Sequence, residues 1–337
     1  MYHLQHLRLQ ETLGLLAKRD ILLSHLIYTA ADGNYALQAK VLLLSLVRTQ
    51  TKSTHLVVLG NGWTSKESAR LEALQSDLVT VEIRPVDSQQ FSQIRLQSKF
   101  PLATAYNVLA PQYLLEQSGR ALYVDADVVV MEDLSDLWIR AMTHAVGAVL
   151  DAHIGWAASP SMWRPWREEN MDPMTPYLNT GVMLVDLDQW RAQNMTARII
   201  EVLAKYDLPC VDQDAINIVL RGEFELLQPR YNLMPYHYLQ TFRYIDAVES
   251  DFEIGIALTH PAIIHFHRSF LGKPWTYGAI HPATNLWRSL ATEAQPGWRK
   301  STDLIGLARR RAAKFANMLK MDERARAIDE LIISKFQ

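Results

Sequence analysis

Ala121-Leu122-Tyr123-Val124-Asp125-Ala126-Asp127-Val128-Val129-Val130-Met131 is an apolar run suited to a buried strand, yet it carries two carboxylates one residue apart. Burying an ionised carboxylate without a partner is expensive, and two close together cost more. Alternation along a strand puts residues i and i+2 on one face, roughly 6.6 Å apart, with the small Ala126 turned the other way. Two oxygen donors so placed suit a hard divalent cation such as Mn2+ or Mg2+, and through it phosphate oxygens. The pair equally fits a strand end that caps a following turn. On spacing alone both readings stand.

The surrounding chain alternates strand and helix. Leu26–Ala30 reads as a short apolar strand, followed by an Asp32-Gly33-Asn34 turn and helical spacing over Tyr35–Arg48. Leu56–Leu59 is a second strand ended by Gly60-Asn61-Gly62, and a polar helix opens at Thr64 or Ser65 and runs to Gln75. Val79–Ile83 is a third strand, stopped by Pro85; Thr104–Gln117 is helical and ends at Gly119, a good C-terminal cap. The strand bearing Asp125 comes next, then Ala145–Leu150. Such alternation predicts an α/β fold with a mostly parallel central sheet and helices on both faces. Ligands of such sheets bind outside the carboxyl ends of the strands. Asp32, Asp125, Asp127 and Asp151 all follow apolar strand runs, which puts them along one rim.

Composition narrows the class. The chain has 337 residues, 49% apolar and 21% charged, as expected of a globular protein with a real core. A net charge of −2 argues against a nucleic-acid binder with a basic surface. The single cysteine, Cys210, excludes an intrachain disulfide and a cysteine-built zinc site, and suits a reducing cytoplasm. No stretch reaches the ~18 apolar residues of a bilayer span. Residues 1–24 are spaced like one helix face rather than a signal peptide. The expected location is therefore the cytoplasm or the inner surface of a membrane.

The second half is less regular. Trp156, Trp163, Trp166 and Tyr177 lie among Pro160, Pro165, Pro173 and Pro176, too broken a stretch for one long element. Tyr177-Leu178-Asn179-Thr180-Gly181-Val182 is a polar turn feeding a buried strand that ends at Asp186. Asp212 or Asp214 is placed to start a helix, Asp212 as its N-cap. Ala262–Trp275 is a strand leading into a basic loop, and alternation would put His265 and His267 on one face.

Six blocks occur in one order over residues 26–280: Ala30-Ala31-Asp32-Gly33-Asn34-Tyr35, Tyr123-Val124-Asp125-Ala126-Asp127, Asn179-Thr180-Gly181-Val182, Asp212-Gln213-Asp214 with Asn217, Tyr231-Asn232-Leu233-Met234, and His265-Phe266 with Lys273-Pro274-Trp275. In this they resemble the retaining glycosyltransferases of family 8, near the bacterial lipopolysaccharide galactosyl- and glucosyltransferases. The resemblance implies a GT-A fold over residues 25–285, with a nucleotide-binding half at about 25–150 and an acceptor half at about 151–285. A helical extension (1–24) would precede it and a basic helical extension (286–337) would follow.

By resemblance, Asp125, Asp127 and His265 bind Mn2+ or Mg2+, and Lys273 contacts the diphosphate of a UDP-sugar. Ala30, Asp32 and Asn34 bind uracil and ribose, while Asp151, Asn179, Thr180, Asp212 and Gln213 surround the donor sugar. Retention calls for a double displacement or for front-face attack. Gln213 is the residue the family places under the anomeric carbon, and an amide is a poor nucleophile. Asp214 is the nearest carboxylate in sequence, but adjacent helix positions point about 100° apart, which favours front-face attack. The implied activity moves a hexose from UDP-galactose or UDP-glucose to a saccharide or glycolipid acceptor in cell-surface polysaccharide or lipopolysaccharide synthesis. The alternatives are a sugar-nucleotide-binding module without catalysis, or a nucleotidyltransferase or hydrolase of sugar nucleotides.

Two departures from the family pattern stand out. Asn107 occupies a position where many members carry an arginine that helps hold the donor. The loop after His265 is longer, His267-Arg268-Ser269-Phe270-Leu271-Gly272, and Arg268 is a candidate to replace that charge. Further on, residues 299–337 hold ten Lys or Arg against five Asp or Glu. Leu304, Ile305, Ala308, Ala312, Phe315 and Leu319 form a stripe opposite Arg309, Arg310, Arg311 and Lys314. Such a basic amphipathic helix suits peripheral contact with an anionic membrane through 300–337, or docks on its own domain.

Overall fold

The computed structural model describes residues 24–87, 89, 106–115, 117–159, 164–239, 251–269 and 271–299. The helical reading of 1–23, residues 103–105, Trp163, Phe270 and the basic stretch 300–337 lie outside them.

A seven-stranded sheet forms the centre, in the order β3-β2-β1-β4-β7-β6-β8. Its strands are β1 (His25–Ala30), β2 (Thr54–Leu59), β3 (Val79–Arg84), β4 (Arg120–Val124), β6 (Val146–Leu150), β7 (Leu178–Asp186) and β8 (Glu225–Leu226). A separate antiparallel pair joins β5 (Val128–Val130) to β9 (Ile263–His265). The helices are α1 (Ala36–Thr49), α2 (Ser65–Glu72), α3 (Tyr106–Tyr113), α4 (Ser135–Ile139), α5 (Leu187–Ala192), α6 (Met195–Lys205), α7 (Val211–Leu220), α8 (Asp251–Thr259) and α9 (Thr284–Ala294).

β1 pairs in parallel with β2 and β4, and β2 with β3. The chain thus runs outward from β1 to β3 and returns on the other side as β4, leaving a crevice above the carboxyl ends of β1 and β4. Alternate residues feed opposite layers. Leu26 and Tyr28 join one apolar cluster and Ile27 the other, and all three are buried. Burial on both faces is what a parallel sheet requires, and it explains the near-continuous apolar runs.

β7 alone runs against the sheet, antiparallel to both β4 and β6. Val124 at the end of β4 faces Val182, and Leu150 at the end of β6 faces Leu178. Reversal therefore brings the first residues of β7, not its last, to the rim where β4 and β6 end.

Three sequence expectations need correction. Residues 121–131 are not one strand. β4 stops at Val124, a turn holds Asp125–Asp127, and β5 belongs to the smaller sheet. A flat strand would have buried both carboxylates in the core; the turn lets each find a partner. The helix expected over Thr104–Gln117 ends early, at Tyr113, with Leu114, Leu115 and Gln117 outside it; its expected first two residues lie outside the described ones. Asp212 is not an N-cap. Cys210 holds that position, without a side-chain hydrogen bond, and Asp212 lies in the first turn of α7.

Candidate active site

The turn after β4 aims its acids at His265. The Asp125 N–H donates to the Gly181 carbonyl (2.8 Å), and the Tyr123 hydroxyl donates to Asp125 Oδ1 (2.6 Å). On the far side of the turn, the Phe266 N–H donates to the Asp127 carbonyl (2.9 Å), and Val128 faces His265 in the β5–β9 ladder. His265 Nε2 consequently lies 3.4 Å from Asp125 Oδ2 and 3.3 Å from Asp127 Oδ1. One ligand atom from each of the three residues falls within 4.8 Å of the others. Lys273 ion-pairs with the other oxygen of Asp127.

Gly181 is what lets β7 come this close. A Cβ there would stand 2.2 Å from His265 Cε1 and 2.8 Å from Asp125 Oδ2, so no larger residue fits without displacing the cluster.

The chemistry of His265 is set by the residue behind it. Its Nδ1 lies 3.0 Å from Asn232 Oδ1, and Asn232 Nδ2 donates to Asn179 Oδ1 (2.9 Å). With its amide nitrogen committed, Asn232 offers an acceptor, so His265 carries its proton on Nδ1. Nε2 is buried without a hydrogen bond of its own and faces two carboxylates. One ring nitrogen held by its neighbour and the other turned toward oxygens is how metal-binding histidines are arranged. The N-plus-two-carboxylate donor set fits Mn2+ or Mg2+. Burial would lower the pKa of His265, but the two acids outweigh it and raise it to about 9. For Asp127, burial works toward protonation, while Lys273 and His265 hold its carboxyl well below the usual carboxylate range.

Beside the acids lies a second network built mainly from amides. Asp151, just past β6, accepts from the His153 and Ile154 N–H groups (2.9 Å each), from Asn179 Nδ2 (3.0 Å) and from Gln213 Nε2 (3.1 Å). Burial opposes its ionisation, yet His267 and these donors keep its carboxyl below the ordinary value. Gln213 Oε1 accepts from Asn179 Nδ2 (3.1 Å) and from the Thr180 N–H (3.3 Å). Asp212 accepts from Asn107 Nδ2 (2.7 Å) and, more distantly, the Thr180 hydroxyl (3.5 Å). Burial in the cleft wall pushes the Asp212 carboxyl up to about 7, against the pull of Asn107 and with help from the charge of Asp125.

α7 is pinned to β7 by Asn217, which accepts from the Leu178 N–H (2.8 Å) and donates to the Leu178 carbonyl (2.9 Å). Val211, next to Asp212, has φ +36. For a β-branched residue that is strain on the order of 1–3 kcal/mol, stored where the helix presents Asp212 and Gln213.

The remaining candidates are placed as follows. Asp32 Oδ1 accepts from the Asn34 N–H (2.9 Å) just past β1, with Ala30 at the strand's end. Gly33 is forced by close packing, since a Cβ would sit 2.1 Å from the Gly62 carbonyl oxygen. Tyr35 follows this turn, its ring edge-on to Trp275. Partial burial and the charges of Asp127, Asp125 and Asp32 push its hydroxyl up to about 12. Asp214 is not brought to the rim. It is 1% exposed and is taken up by Arg164 (2.7 Å), the Tyr177 hydroxyl (2.5 Å) and the Cys210 N–H (2.7 Å). Arg268, in the loop after β9, is exposed. β9 ends at His265, so strand alternation does not explain His267, whose ring meets His265 edge-on at 5.2 Å. Asn232 and Gly181 lie inside the sequence blocks, but their contacts with His265 carry no local sequence signal. The stack of His153, Tyr236 and His267 (4.4 and 5.8 Å between ring centroids) had no sequence signal.

Residues 26–279 match the sequence model of the family described as Glycosyl transferase family 8. This chain is a family 8 glycosyltransferase. It is similar to general stress protein A of Bacillus subtilis (strain 168), 28% identical over 265 residues, covering 76% of this chain and 89% of that one. It is also similar to a lipopolysaccharide 1,2-glucosyltransferase of Escherichia coli, 23% identical over 265 residues, covering 77% and 75%. Among solved structures, the galactosyltransferase LgtC in complex with donor and acceptor sugar analogues superposes with a TM-score of 0.68 at 21% identity, covering 84% of this chain and 99% of that one. At that identity the likeness establishes the fold, which is GT-A. The transferase has no helix, among its described residues, long and apolar enough to cross a membrane.

Proposed function

We propose that this family 8 transferase is metal-dependent and moves a hexose, with retention, from UDP-galactose or UDP-glucose to a saccharide or glycolipid acceptor in cell-surface polysaccharide or lipopolysaccharide synthesis. The observation that carries the reading is the buried Nε2 of His265, turned toward Asp125 and Asp127 while Asn232 holds Nδ1. These three residues would hold Mn2+ or Mg2+, and the ion would neutralise the charge of the departing diphosphate. Lys273, already at Asp127, adds a cation on the same side. Ala30, Asp32 and Asn34 would take the uridine, and the network of Asp151, Asn179, Thr180, Gln213 and Asp212 the donor sugar. A site that bonds particular hydroxyls rejects the epimer that misplaces one.

Retention by front-face attack fits the carboxylates available. Asp214 is sealed behind Tyr177 and Arg164, so it offers no nucleophile, and the Gln213 amide is fixed by four partners. Asn107 stands where the missing arginine charge was expected, and its hydrogen bond to Asp212 supports a working donor pocket rather than a decayed one. We take residues 25–150 as the nucleotide half and 151–285 as the acceptor half. We further take the cytoplasm as the site of action, with 300–337 as a peripheral membrane contact.

The test is a panel of nucleotide sugars with Mn2+, followed by mass spectrometry of products on glycolipid acceptors. UDP-hexose turnover that EDTA abolishes is expected. Silence across the panel, with nucleotide still bound, would make the chain a binding module instead.

A further inference from the structure

Lys273 reaches Asp127 from a tight loop in which Thr276 turns back, its N–H (2.9 Å) and hydroxyl (2.8 Å) both donating to the Lys273 carbonyl. That loop is gripped from outside. Arg288, on α9, donates through Nε to the Pro274 carbonyl (2.9 Å) and through Nη2 to the Thr276 carbonyl (3.0 Å). The two bonds flank Trp275. Its ring packs on fully buried Trp287, also on α9, at 5.2 Å, and lies beneath the Lys273 ammonium at 5.3 Å. Tyr35 meets the same ring edge-on at 6.3 Å.

α9 is itself held. Glu293 pairs with Arg48 of α1 (2.5 Å), and Gln295 accepts from the buried ammonium of Lys40 (2.6 Å), which also pairs with Glu67 of α2 (2.5 Å). The helix begins at Thr284, past residue 279 where the family match ends.

A planar guanidinium presents its donors in a rigid fork that sets the directions of two carbonyls at once, whereas a lysine ammonium is a point charge with rotatable donors. We propose that Arg288 is a positioning residue. By clamping the carbonyls of Pro274 and Thr276 it fixes the Lys273 ammonium at Asp127, where it meets the donor's diphosphate. The substrate half of this rests on the function proposed above; the placement of Lys273 does not.

The full-length chain is compared with Arg288→Ala, Arg288→Lys, Glu293→Gln, Lys273→Ala and the Lys273→Ala/Arg288→Ala double variant, each checked for a cooperative thermal transition. UDP affinity in saturating Mn2+ is measured by calorimetry. Acylation of Lys273 by a water-soluble ester is followed by mass spectrometry without nucleotide. Arg288→Ala should weaken UDP by about tenfold, the scale of one or two hydrogen bonds to a charged group, and should label Lys273 several-fold faster. Arg288→Lys should recover only part of both effects. Glu293→Gln, which loosens α9 without touching the loop, should leave both unchanged. The double variant should bind UDP no worse than Lys273→Ala alone, because the two residues act in series. Wild-type labelling in Arg288→Ala, or equal damage from Glu293→Gln, overturns the clamp. Failure of the wild-type chain to bind UDP overturns the proposed function instead, and labelling still decides the role of Arg288.

Discussion

The two sides of the cleft solve the same problem, buried negative charge, by different means. Around Asp125 and Asp127 the compensation is ionic, since His265 and Lys273 supply positive charge at close range. Around Asp151 and Asp212 it is mainly neutral, supplied by Asn179, Gln213, Asn107 and backbone N–H groups. Under the proposed function, the first arrangement would exchange its cation for a divalent one. The second is cross-braced by hydrogen bonds, and under the proposed function it would read the hydroxyls of the donor sugar. Asn232 joins them, with one end on His265 and the other on Asn179.

The largest effect should come from breaking the ionic side. Asp127→Asn removes one charge from the cluster and should cut transfer by roughly 10³-fold, at the upper end for loss of one charge-stabilising group, and should abolish tight Mn2+ binding in a metal titration. Breaking the neutral side should cost less. Gln213→Ala should slow transfer by about 10²-fold without abolishing it and leave Mn2+ affinity unchanged; a glycosyl adduct trapped on Asp214 would refute front-face attack.

Cutting the join should touch both sides mildly. Asn232→Ala frees the His265 ring and should weaken Mn2+ by about 10–100-fold, as loss of a partner behind a metal ligand does. The smallest effect separates the sides by pH. His265 has a folded pKa of about 9 against an ordinary 6.5. Its protonation therefore stabilises the metal-free fold fully below pH 6.5, and that contribution is lost as pH rises through 9. Thermal melts of EDTA-treated protein should show stability falling over that window. Mn2+ competes with the proton, so its protection should grow as pH rises. A flat metal-free profile would mean that the acids do not hold His265 protonated.

Much of the fold was legible because apolar alternation is a local signal. β1, β2, β3 and β6 lie within a residue or two of the runs that predicted them. The run through Asp125 misled for the same reason: Val128–Val130 is as apolar as Leu122–Val124, and nothing local says that the two halves join different sheets. Of the site, the chain order of the six blocks marked the acids, His265 and the residues near Asp151. It could not assign Asp214 to the core, because Arg164 lies 50 residues away. Nor could it reveal Asn232 as the partner of His265 or Arg288 as the holder of the Lys273 loop, since both contacts are made across the fold.

By itself, the sequence determined which residue types were available: carboxylates at strand ends, amides and a glycine beside them, a histidine in an apolar run. Period-two burial and the cost of lone buried charge follow from residue order alone. Tertiary structure decided who meets whom. The reversal of β7 sets Gly181 against His265 and Asn179 against Asp151, and the break between β4 and β5 turns two acids from a strand face toward one histidine. Those pairings depend on strand direction and on contacts between distant segments, which no local pattern encodes.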